Sequence, residues 1–94
     1  MDVIGLGILE EFKRTHPDVR TQVDSWLQEA REAAWDTPHQ VTARYPRASI
    51  LSDNRVVFNL KGNAYRLLVR IAYRTGKIIV LRVGTHAEYD RWDI

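Results

Sequence analysis

The chain contains no cysteine. Disulfide staples, a thiol nucleophile and a Cys-ligated metal centre are therefore excluded. Proline and glycine are sparse, three and five in 94 residues, which excludes a low-complexity or linker-like chain. No apolar run approaches the ~18 residues of a membrane span. The stretch from Met1 to Gly7 has no basic residue ahead of its apolar positions, so it does not read as a secretory signal. There is no P-loop, no HExxH and no Gly-rich dinucleotide fingerprint. The three histidines (His16, His39 and His86) are too dispersed for an obvious metal site. No metal, cofactor or membrane partner is expected, and a cytoplasmic location is.

What remains is a chain of single-domain length, residues 1–94, without internal repeats. Hydrophobic residues at 45% and charged residues at 28% permit a modest core and exclude a disordered tail. The formal net charge of +2 hides an asymmetry. Residues 1–36 hold four basic and eight acidic side chains, whereas residues 37–94 hold ten and four. Eleven of the fourteen basic residues are arginine, the side chain best suited to fork a phosphate. The basic C-terminal half points to a polyanionic partner.

Hydrophobic periodicity organises the chain. Met1–Ile4 reads as an edge strand. From Leu6 the apolar positions Ile8, Leu9 and Phe12 follow helical spacing. Pro17 breaks this helix at His16, because proline disfavours helical geometry in the residue before it. Pro17 then suits the first turn of a second helix, with Asp18 near its positive end. Val19, Val23, Trp26, Leu27, Ala30 and Ala34 form that helix's apolar stripe. Thr37, Pro38 and Gln40 predict a third, short helix as N-cap, first residue and capping-box partner, ending at Tyr45-Pro46. From there the period becomes two. Strands are expected at 55–60, 65–73 and 78–83, joined by turns at Lys61-Gly62-Asn63 and Arg74-Thr75-Gly76-Lys77. The expected fold is α+β, with two N-terminal helices packed on one face of a small antiparallel β-sheet.

Strand alternation assigns faces. Tyr65, Leu67, Val69, Ile71 and Tyr73 should meet the helices, and so should Val56, Phe58 and Leu60. Arg55, Asn59, Lys61, Arg66 and Arg70 should look outward. In the last strand either parity is half apolar, so the facing of Arg82 stays open. With Arg82 outward, the uncovered face gathers arginine and lysine with no carboxylate among them, which suits a phosphate backbone. Outward arginines of this kind are expected to matter little for stability.

Beyond the last strand, His86 and Tyr89 are three residues apart and share one side if the segment is a helical turn. Histidine exchanges protons near neutral pH, and a phenol donates or accepts a hydrogen bond. Together with Lys61, Arg66 and Arg82 they supply acid-base groups and charge clamps for phosphoryl transfer. The nearby carboxylates Glu88, Asp90 and Asp93 read as solvated.

The run Val57-Phe58-Asn59-Leu60-Lys61-Gly62-Asn63-Ala64-Tyr65-Arg66-Leu67, followed by Gly84-Thr85-His86-Ala87-Glu88-Tyr89-Asp90, resembles the HigB branch of the RelE-like toxins of type II toxin-antitoxin systems. His16-Pro17-Asp18, Trp26, Ala34-Trp35 and Tyr45-Pro46 extend the similarity over nearly the whole chain. The resemblance implies a RelE-like fold and a metal-independent mRNA endonuclease acting on the translating ribosome, by attack of a 2′-hydroxyl on the adjacent phosphate. It also implies neutralisation by a HigA-like helix-turn-helix antitoxin. The matching places give Lys61, Arg66, Arg82, His86 and Tyr89 as the expected catalytic set. Arg55, Asn59, Asn63 and Arg70 are the expected RNA contacts. The residues by themselves support RNA binding, and only the resemblance implies cleavage. A non-catalytic RNA- or ribosome-binding module of the same fold is a second reading, and a protein-interaction domain whose basic face only receives an acidic antitoxin segment is a third.

Overall fold

A single glycine makes the first bend of the chain. Gly5, at φ 96°, turns strand β1 (Asp2–Ile4) directly into helix α1 (Leu6–Thr15). A side chain there would meet the Val80 carbonyl oxygen at 2.9 Å, so the backbone passes closer to the sheet than any other residue allows. The computed structural model describes residues 1–94. Helix α1 buries Leu9 and Phe12 and stops at His16. Pro17–Val19 form a 3₁₀ turn that feeds helix α2 (Arg20–Glu32), as the proline required. Helix α2 buries Val23, Trp26 and Ala30. The expected stripe runs one member too far. The helix ends at Glu32, Ala33 is extended, and Ala34 is exposed while Trp35 is buried in its place. Helix α3 (Pro38–Arg44) is capped by the Thr37 hydroxyl, which accepts from the Gln40 N–H at 3.4 Å. The Gln40 side chain reaches back to the Asp36 N–H at 2.6 Å, one residue beyond the usual box.

The sheet has five strands in the order β1-β5-β4-β3-β2. Strands β3 (Arg55–Leu60), β4 (Tyr65–Ala72) and β5 (Lys77–Thr85) form the expected antiparallel meander. Two additions correct the purely antiparallel expectation. The edge strand β1 pairs with β5 in parallel, which makes the sheet mixed. A two-residue strand, β2 (Ser49–Ile50), pairs with β3. It is joined to β3 through Asp53 and Asn54, both at positive φ (64° and 58°). Asp and Asn tolerate this left-handed pair, which gives a hairpin turn of the right twist.

One face of the sheet carries the core. Leu9, Phe12, Val23, Trp26, Ala30 and Val41 from the helices join Val56, Phe58, Leu67, Val69, Ile71, Ile78 and Val80 from the strands in a single buried cluster. Its aromatic centre is Phe58, with Tyr45, Trp26 and Trp35 at centroid distances of 5.1, 5.4 and 6.3 Å. No helix is long and apolar enough to cross a membrane. Because Gly5 is both left-handed and hard against Val80, Gly5→Ala should cost roughly 1–3 kcal/mol in chemical unfolding. Gly7→Ala, in open space on the same helix, should leave stability unchanged or raise it slightly.

Candidate active site on the outer face of the sheet

Strand register builds the face away from the helices. Its rows across β3, β4 and β5 are Arg55–Arg70–Ile79, Val57–Leu68–Arg82 and Asn59–Arg66–Gly84. The open question about Arg82 is resolved by an irregularity in β5. Leu68 pairs with Arg82 while Val69 pairs with Val80, so Leu81 is an extra residue. Ile78 and Val80 face the core before this bulge and Val83 after it, and Arg82 faces outward. The face is not bare, however. Val57 and Leu68 are buried although they lie off the helix-side core.

Arg66 is the clearest departure from expectation. It was expected in solvent, yet it is 7% exposed, the only charged residue in the buried set. Its guanidinium donates to the Asn63 carbonyl (2.9 Å), the Asn63 side-chain oxygen (2.7 Å) and the Tyr65 carbonyl (3.3 Å). Its flat side lies 5.3 Å from the centre of the Tyr89 ring. Every one of these partners is neutral. Burying a charge demands such hydrogen bonds, and here they hold the cation in place without cancelling it.

The segment after β5 closes over this arginine. His86 and Tyr89 belong to a single helical turn, α4 (His86–Tyr89), whose N-cap is Thr85, the last residue of β5, and which carries a full capping box. The Thr85 hydroxyl accepts from the Glu88 N–H at 3.1 Å, and the Glu88 carboxylate accepts from the Thr85 N–H at 2.8 Å. That backbone bond is the main reason the Glu88 carboxyl titrates below its ordinary 4.5. The His86 N–H donates to the Ala64 carbonyl at 2.9 Å, tying the turn to the start of β4. Gly84 makes room for it: a side chain there would meet Trp92 at 3.0 Å and Glu88 at 3.2 Å. His86 Nδ1 lies 3.2 Å from an Asp90 carboxylate oxygen, and the imidazole is half exposed.

The structure brings Arg66, Arg82, His86 and Tyr89 to one region, with Asn63 as the residue that positions Arg66. It does not bring Lys61 there. Lys61 sits in the turn at φ 50°, and its ammonium reaches Asp18 at 3.1 Å. The core residue Tyr65 donates to the same carboxylate oxygen at 2.6 Å, which draws Lys61 toward the helix side. Arg55 and Arg70 share a row about 13 Å along the strand from Arg66. There the expectation of a carboxylate-free face fails: Arg70 pairs with Asp53 at 2.8 Å, because the β2–β3 turn folds beside it. Arg55 is held by Ser52. Asn59 stands opposite Arg66 in the strand register and also borders a groove with Arg44, Tyr45 and Arg47. Sequence reasoning read Asp90 and Glu88 as merely solvated, whereas the first contacts His86 and the second closes the capping box, and it passed over Trp92. The first was legible as an i, i+4 partner of His86, and the Thr85–Glu88 box as T-x-x-E.

Two outcomes follow from this geometry. Arg66→Ala should lower stability by roughly 1–3 kcal/mol, because the buried Tyr65 carbonyl and the part-buried Asn63 oxygens lose their donor, while Arg82→Ala should leave the melting temperature in place. Glu88 is held ionised in the folded state, so its contribution is present above pH ~4.5 and fades as pH falls through its lowered value. The Thr85 amide resonance, followed by NMR, should move over that acid range, and Glu88→Gln should abolish the transition.

No curated protein matches the chain. A family profile does, over residues 19–92, and it describes a RelE-like toxic component of a toxin-antitoxin system. That span runs from the start of helix α2 to Trp92 and includes all of the outer-face cluster, so the chain belongs to the HigB toxin family.

Proposed function

We propose that this toxin is a metal-independent endoribonuclease that cleaves mRNA on the translating ribosome in the cytoplasm, and so inhibits translation and growth. The observation that carries the reading is Arg66, a buried guanidinium with only neutral partners. A fixed, uncancelled cation is what a phosphate passing through a change of charge requires. Arg82, exposed two residues before Gly84 in β5, adds a second donor on the same face.

In this reading the contact of Nδ1 with Asp90 orients the His86 ring and leaves Nε2 to accept a proton. Nε2 takes the 2′-hydroxyl proton as the 2′-oxygen bonds to phosphorus. The bond from phosphorus to the 5′-oxygen breaks, and the Tyr89 hydroxyl supplies the proton to that oxygen. Arg66 and Arg82 stabilise the charge on the non-bridging oxygens. One product carries a 2′,3′-cyclic phosphate and the other a 5′-hydroxyl. Arg55 and Arg70 contact neighbouring phosphates, Arg70 once it is drawn from Asp53. Lys61 stays outside the proton transfer unless it leaves Asp18. A HigA-like helix-turn-helix antitoxin binds and neutralises the protein.

His86→Ala should slow single-turnover cleavage of translated message by roughly 10²-fold without lowering ribosome affinity, and EDTA should have no effect. Full activity in a folded His86→Ala protein would remove the proton-transfer role from this residue. Ribosome binding by the native protein with no cleavage at all would select the non-catalytic module instead.

A further inference from the structure

One aromatic residue on the outer face is not used by the reaction above. Trp92 lies beside Gly84. The Arg82 guanidinium sits 5.4 Å from its ring centre, and the Tyr89 ring meets it edge-on at 5.5 Å. With Arg66 over Tyr89, the order across the face is Arg66, Tyr89, Trp92, Arg82: two rings between two cations. The other tryptophans, Trp26 and Trp35, are 2% and 8% exposed and belong to the helix-side core. Trp92 is only half buried, and Arg82 above it is exposed and engages no carboxylate.

We propose that Trp92 is a nucleobase-stacking platform for the RNA strand, set beside the phosphate held by Arg66 and Arg82. The inference rests on the RNA-cleaving reading and adds a base-sensing subsite to it. Solvent weakens the contact between an exposed arginine and a ring. Stacking a base on tryptophan is the stronger interaction and is tolerant of sequence. A released guanidinium also gains a charge-assisted fork to phosphate. An incoming nucleotide therefore replaces Arg82 on the ring with its base and receives Arg82 on its phosphate. Gly84 serves this arrangement, since a side chain would push the ring off the strand. Purines, with larger faces, should be favoured over pyrimidines.

The test uses a 2′-O-methyl hexanucleotide, which cannot be cleaved by 2′-oxygen attack, and an abasic hexamer with the same phosphates. Each is presented free and as message in a programmed ribosome. The native protein should bind the base-bearing strand about tenfold more tightly than the abasic one, with quenching of the solvent-accessible tryptophan emission. Trp92→Leu should erase that difference and the quench but keep the salt-dependent phosphate binding, and Trp92→Phe should restore most of the difference. Equal affinity of the native protein for the two strands overturns the platform and leaves RNA binding intact. So does a base preference that survives in Trp92→Leu. Binding of neither strand in either setting overturns both the platform and the reading beneath it. Melting curves of Trp92→Leu and Trp92→Phe separate lost stacking from a displaced C-terminal turn.

Discussion

A guanidinium cannot be left buried without donors satisfied, and much of the outer face is arranged around meeting that need for Arg66. The Lys61–Ala64 turn presents the Asn63 carbonyl and side-chain oxygen to it. The Tyr65 carbonyl supplies a third acceptor. Tyr89 covers the flat side, which fixes where helix α4 lies, and with it His86. A carboxylate partner would have satisfied the same need more strongly, and elsewhere the chain uses one: Lys13, Arg44, Lys61 and Arg70 all pair with acids. At Arg66 the acceptors are neutral, so the positive potential survives burial. Such a pairing is costly for stability alone and useful for holding an anion.

The two faces of the sheet are coupled at the hairpin end. Tyr65 and Arg66 are consecutive in β4 and point to opposite sides. Tyr65 donates to Asp18 in the 3₁₀ turn, and this bond, with Lys61 second, holds the Asp18 carboxyl below its usual value. The same bond raises the Tyr65 phenol. One residue later the chain serves the site. The proline-led turn between α1 and α2 therefore bears on the placement of Arg66, although it lies on the other side of the sheet and contributes nothing to the outer face itself.

How far the sequence carried depends on the range of the interaction involved. The alternation of β4 was legible because one face is apolar at every second position, from Tyr65 to Ile71. Thr37 and Pro38 were legible because capping is local. Arg82 was not decidable, since the Leu81 bulge lets both halves of β5 satisfy the core in different parities. The pairing of Arg70 with Asp53 and of Lys61 with Asp18 spans 17 and 43 positions. No periodicity encodes such contacts, and they redistributed the expected basic face. Burial of Arg66 was missed for the same reason: it follows from Tyr89 folding back across the sheet, 23 residues later.

A four-residue helix is too short to persist by its own propensity, so the position of His86 must come from its attachments. There are three. The capping box closes the N-terminus of the turn, the His86 N–H is bonded to Ala64, and Tyr89 rests on Arg66. The last of these links the imidazole to the cation it would serve, because any shift of Arg66 moves the ring that helps hold the turn. Proton transfer and charge stabilisation depend steeply on placement, with about an ångström of error costing large factors in rate. Linking the turn to Arg66 through Tyr89 limits how far the two can drift apart, while the contact with Asp90 holds the half-exposed His86 ring itself. The bare Cα of Gly84 allows the turn to sit that close to the sheet, which gives the glycine ahead of Thr85-His86 a mechanical role in placing the turn.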